Sequence, residues 1–255
     1  MLPFGNWCDL FSSNVGAHEV QVLTSRPADL AAARDDIAAT IPTHYCSEEN
    51  IARALRRLGK TAAATLIEEK LPTTKSIRSG DLGEILATEF IAQYTTFAAP
   101  IKRLRWKDHR NMAMRGEDVI AILRNPATGA LRFLKCEAKS RVTLTAAVVN
   151  EARQNLDKNG GLPSPHALLF ISARLLETGD DALADAIEDG LLKRSIAINH
   201  VRHLIFALSG NSPRQLLEAT LNGYAGGAEQ GVAGIHVSTH AAFVRDVYTK
   251  VIGNA

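Results

Sequence analysis

The stretch Arg115–Arg141, "RGEDVIAILRNPATGALRFLKCEAKSR", decides the reading of this chain. Both "DVIAILR" and "ALRFLKCEAK" have strand composition, and "NPATG" between them is turn chemistry. Pro126 presets its own φ, and Gly129 accepts the left-handed conformation. If the loop runs from Pro126 to Gly129, Asn125 faces Ala130 and Asp118 lies opposite Glu137. Period-two alternation then sets Lys139 on the same face as Glu137. The second strand thus carries charge where burial favours apolar side chains, and the hairpin's two carboxylates, Asp118 and Glu137, repel. A divalent cation resolves that conflict. Carboxylate oxygens suit Mg²⁺, with Mn²⁺ as the alternative, and leave coordination sites for water and phosphate. Lys139 is then placed to hold or deprotonate a water attacking phosphorus. The competing reading is a structural Glu–Lys pair at a strand edge.

Charge distribution points the same way. Residues 98–145 hold eleven Lys and Arg against four Asp and Glu, a local +7 that leaves −5 for the rest of a chain whose net charge is +2. A basic block in an otherwise slightly acidic chain is the footprint of a polyanion site. Arg105, Lys107, Arg110, Arg115 and Arg141 are the candidate DNA contacts. A length of 255 residues with 46% apolar content supports a substantial core. Three cysteines without metal-ligand spacing argue for a reducing compartment. No signal-peptide pattern opens the sequence and no apolar run reaches bilayer length, so a cytoplasmic protein without membrane contact is expected.

Outward from the hairpin, the pattern alternates helices and strands. Residues 1–72 read as a small α+β region, with a strand at "HEVQVL" and helices in "ADLAAARDDIAAT", "EENIARALRRLG" and "TAAATLIEEK". "LPTTKSIRSG" reads as a linker. Residues 73–255 then give a helix "DLGEILATEFIAQY" capped by Ser79 or Asp81, a strand "IKRLRW", and the hairpin. A helix capped by Thr143 or Thr145 and ended by Gly160-Gly161 follows. Next come a strand "HALLFIS", a helix "DDALADAIEDGLLKR", a strand "RHLIFALS" and a helix opened by Ser-Pro. A glycine-rich loop over 223–234, a strand "GIHVSTH" and a terminal helix "AAFVRDVYTKVI" complete an α/β pattern with a mixed sheet.

Other motifs carry less. "LGKT" at 58–61 lacks the first glycine and the strand context of a phosphate-binding loop. Glu68-Glu69-Lys70 has no acidic strand partner. The pairs His200/His203 and His236/His240 have no acidic or cysteine cluster beside them.

Asp, hairpin, Glu-x-Lys, basic surround and following helix together resemble the PD-(D/E)xK nuclease superfamily, with "GED" standing where "PD" is usual and Glu117 as a rival to Asp118. The resemblance implies a restriction-endonuclease-like core, a mixed sheet flanked by helices. It implies an acid from the preceding helix, Glu84 or its rival Glu89, and a polar residue from the following one, Gln154. "RSGDLGEILATEFI", "KRLRWKDHRNMAMRGEDVIAI" and "LKCEAKSR" further resemble the HamA family of nuclease subunits from Hachiman anti-phage defence. That resemblance implies a superfamily 2 helicase partner, HamB, and destruction of DNA on activation; residues 1–72 are then a candidate docking region. The alternatives are a housekeeping repair or restriction-type nuclease, and a non-catalytic nucleic-acid-binding module.

Overall fold

A computed structural model describes residues 2–193 and 196–254. Its centre is one six-stranded sheet in the order β1-β2-β6-β5-β4-β3. The strands are β1 (Cys8–Val15), β2 (His18–Ser25), β3 (Val119–Arg124), β4 (Leu131–Arg141), β5 (Val201–Ser209) and β6 (Glu229–His236). The four inner strands run parallel, and the two outer strands β1 and β3 pair antiparallel with their neighbours. Helices flank both faces. Residues 1–72 contribute β1 and β2 to this sheet, and β2 pairs directly with β6.

One face carries α1 (Leu30–Tyr45), α4 (Lys75–Tyr94) and α9 (His240–Asn254), packed around Phe90, Phe206, Phe243 and Tyr248. The other face carries α5 (Ala146–Asp157) and α8 (Arg214–Leu221) over Ile205, Ala207 and Val232. Beside them, α6 (Pro165–Thr178) and α7 (Asp181–Leu192) cover Ile120, Ile122 and Phe133. The pair α2 (Glu48–Leu58) and α3 (Lys60–Lys70) lies outside these layers. Among the described residues, no helix is long and apolar enough to cross a membrane.

The hairpin register agrees with the expectation: Val119 faces Cys136 and Arg124 faces Leu131. The turn fixes it. Asn125 Oδ1 accepts from the Ala127 and Thr128 amides, Gly129 N donates to the Asn125 carbonyl at 2.8 Å, and Gly129 adopts φ +73°. Thr145 caps α5, accepting from Val148 N.

Several expected elements differ. "HALLFIS" is helical, not a strand. Ser164 caps α6, Pro165 occupies its first turn, and Leu168, Ile171, Ser172 and Leu175 form the buried stripe. A short apolar run fits either conformation, and here the cap and the continuing helical spacing decide. "IKRLRW" is a 3₁₀ turn over Arg103–Trp106 with only Leu104 buried, held by side-chain anchors rather than a ladder. The helix α4 begins at Lys75 after Thr74, so Ser79 and Asp81 are interior and half the expected linker is helical. Strand β6 begins at Glu229, taking in Gly231 and Gly234 of the expected loop. Strand β1 was not anticipated, because it is a sheet edge with four polar residues among its eight and a single buried one, Cys8. Arg194, the end of the expected helix "DDALADAIEDGLLKR", lies outside the described residues.

Helix α1 is tied to α4 by a buried polar pair. His44 Nε2 lies 2.9 Å from Glu89 Oε1 and both side chains are nearly inaccessible. Burial pushes the His44 pKa down to about 4, outweighing the opposing pull of Glu89. Such a depression contributes stability fully present above the ordinary value near 6.5 and lost as pH falls through about 4. Melts between pH 7 and 4 should show up to roughly 3 kcal/mol of loss from this group, flattened in His44→Gln.

Candidate functional site

The ladder between β3 and β4 ends at Val119 and Cys136, while β4 runs on to Arg141. Asp118 sits at this open end, just outside β3. Its Oδ2 accepts from the Ala138 amide at 2.8 Å, substituting for the missing backbone partner. Glu137 and Lys139 follow on β4, 9% and 8% exposed. Lys139 Nζ donates to Glu137 Oε1 and to Glu151 Oε1, each at 2.9 Å. Asn155 Nδ2 donates to the same Glu137 Oε1 at 2.7 Å. Burial works against the Lys139 charge, but the two carboxylates outweigh it and raise the pKa, so this group stays cationic.

From the other face, α4 brings Glu84 toward Asp118. Gly83 allows the approach, since a Cβ there would meet Ser140 Cβ at 3.2 Å. Burial raises the Glu84 pKa well above the ordinary carboxylate value; the charge of Asp118 adds to this and Arg103 opposes it. Glu84 Oε2 is buried without a hydrogen bond, 3.6 Å from Arg103 Nε. The Asp118 pKa is pushed up to about 7, first by burial and then by Glu137. Asp118 therefore links the α4 acid to the β4 pair. Glu84 and Asp118 line a cavity of about 500 Å³ walled by Lys102, Arg103, Arg115, Trp106 and His166. Glu137 and Lys139 lie outside that lining.

The remaining candidates separate. Glu117 accepts from Ser164 N and Oγ at 2.7 and 2.8 Å, which commits it to the start of α6. Glu89 is engaged by His44 and the Leu2 amide, away from Asp118. Gln154 is exposed; α5 instead turns Glu151 and Asn155 to the cluster, four residues apart on one face. That spacing was legible, but which face of α5 meets the sheet was not. Lys107 is buried against Asp81, with Nζ 2.7 and 2.9 Å from its two oxygens, and so is withdrawn from any DNA surface. Arg105 Nε donates to the Thr43 carbonyl, and Arg110 pairs with Glu69. Arg115 and Arg141 are exposed. The histidines are engaged locally: His203 with the Gly161 carbonyl, His236 with the Gly210 carbonyl, and His240 with Ser140 Oγ. Among the described residues, no three His, Cys, Asp or Glu side chains form a ready-made metal-ligand group.

Fold and site together define a mixed α/β protein with an acid–lysine cluster at the open end of an edge hairpin, beside a cavity lined by both acidic and basic side chains. The chain belongs to the HamA family, whose model matches residues 3–251. It is also similar to the Hachiman protein HamA of Bacillus cereus, 29% identical over 151 residues that cover 59% of this chain and 53% of the relative. The chain thus spans about half the length of that curated relative.

Proposed function

We propose that this protein is a metal-dependent DNase of the PD-(D/E)xK type, the effector of an anti-phage defence complex with a helicase. The observation that carries the reading is the joining of Asp118 to Glu137 and Lys139 at one end of the hairpin, next to a cavity where Lys102, Arg103 and Arg115 stand beside Glu84. The donor chemistry fits Mg²⁺. Hydrogen bonds fall on one oxygen each of Asp118 and Glu137, and Glu84 Oε2 has none. A cation would offset the burial that raises the pKa of Asp118 and Glu84, and the repulsion added by Glu137 on Asp118 and by Asp118 on Glu84. Asp118, Glu137 and Glu84 would hold it, and bound Mg²⁺ supplies Lewis acidity toward the phosphodiester.

The chain's own residues do the rest. Lys139, held cationic between Glu137 and Glu151, orients the attacking water and stabilises developing negative charge rather than removing a proton. Asn155 fixes Glu137. Arg115 and Arg141 meet the DNA backbone. The family relationship supports the defence role and the helicase partner.

The test is DNA degradation by this chain, alone and with the helicase, in Mg²⁺ and in EDTA, with ATP present or withheld. Loss of degradation in EDTA supports the chemistry, and rapid degradation without ATP would show that cleavage does not await the helicase. Arg115→Glu with Arg141→Glu should weaken duplex binding and reduce its salt slope by about two, at roughly 0.9 per lost phosphate contact. Unchanged binding would move the DNA path elsewhere.

A further inference from the structure

A second cavity, of about 840 Å³, opens between α2, α3 and the 3₁₀ turn. Its walls carry Arg53, Arg57, Lys70 and Arg105, against Glu49 and Glu177. Arg53 and Arg57 are one helical turn apart on α2, so both face the same space. Arg53, Arg57 and Lys70 are exposed. None of the three makes an ion pair among the described residues. Arg105 is fixed at the junction by its bond to the Thr43 carbonyl, 2.9 Å. Four cations against two carboxylates around one concave surface leave a net positive field, suited to an anionic ligand.

The cavity's position identifies that ligand. Trp106 lines both this cavity and the one that contains Asp118 and Glu84, so the two adjoin. Its indole is only partly buried, edge-on to Phe170 and beneath Arg174. An aromatic ring between a basic pocket and an acid site is the arrangement that single-stranded nucleic acid uses, with bases stacking and phosphates in the groove. A duplex is too wide and stiff to turn from one cavity into the other.

We propose that the pocket of Arg53, Arg57, Lys70 and Arg105 binds the phosphates of a single DNA strand that passes Trp106 on its way to the acid site. The assignment rests on the nuclease reading for its direction, but binding itself requires no metal.

The test is therefore made in EDTA, where no cleavage occurs. Anisotropy of a fluorescent oligothymidine is compared for wild type and Arg53→Glu/Arg57→Glu. The double variant lies on an exposed helix face and should bind about tenfold or more weakly. Its salt slope should fall by about 1.4, at roughly 0.7 per lost contact on a single strand. The oligonucleotide should also quench tryptophan fluorescence. The chain has two tryptophans and Trp7 is fully buried, so the quench reports Trp106. Unchanged oligonucleotide affinity in the double variant overturns the pocket, as does a preference of this pocket for an acidic peptide over the oligonucleotide. An arginine-dependent affinity in a chain that cleaves no DNA would instead leave the pocket standing and remove only the nuclease reading.

Discussion

Glu137→Ala lowers Mg²⁺-dependent DNA degradation by about a thousandfold or more and leaves the fold intact. One substitution removes two functions. It takes away a carboxylate that would hold the cation, and it releases Lys139 and Asn155, both bonded to Glu137 Oε1. Lys139 keeps Glu151, so no buried cation is stranded. Asp118 loses the neighbour that, after burial, does most to raise its pKa, which eases a repulsion in the metal-free protein. The thermal midpoint should therefore be unchanged or higher, since a site strained for function is not one that stability requires. Plasmid degradation and circular-dichroism melts of the same preparations check both halves. Equal degradation by wild type and variant would refute the catalytic assignment.

Lys107→Ala loses about 3–5 kcal/mol of stability, the range for removing one partner of a buried ion pair. Its Nζ and the Asp81 carboxylate are each on side chains only 4% exposed. Burial already raises the Asp81 pKa, and Lys107 is the main opposing influence. Without it, Asp81 keeps the hydrogen bond from the Tyr45 hydroxyl, itself bonded to Tyr248, and the weaker influence of Arg103. Adding Asp81→Asn should recover part of the loss, because the double variant leaves no uncompensated charge. Urea denaturation of the two single variants and the double variant measures this. Wild-type stability in Lys107→Ala would return Lys107 to the DNA surface. A charge reversal spanning 105–110 would confound unfolding with lost DNA binding, which Arg115 and Arg141 avoid.

The hairpin and its register were legible because the turn is local chemistry. Asn125, Pro126 and Gly129 fix the loop, and a fixed loop sets every pair above it. The cap at Thr145 was legible for the same reason. Helix α6 was not, since a short, largely apolar run suits a buried strand as well as a helix, and the deciding signal lay outside it in Ser164-Pro165. Strand β1 escaped because an exposed edge needs no apolar pattern.

At the site, the sequence by itself determined that Asp118, Glu137 and Lys139 share one end of one hairpin. Only the tertiary structure decided what joins them. Glu84 rather than Glu89 reaches Asp118, and Asn155 rather than Gln154 reaches Glu137. Likewise Lys107 is buried while Arg115 is exposed, although both stand in the same basic block. Spacing fixes which residues share a face of a helix or strand. Which face is buried, and which opposite charge waits there, depends on elements distant in the chain whose packing no local pattern encodes.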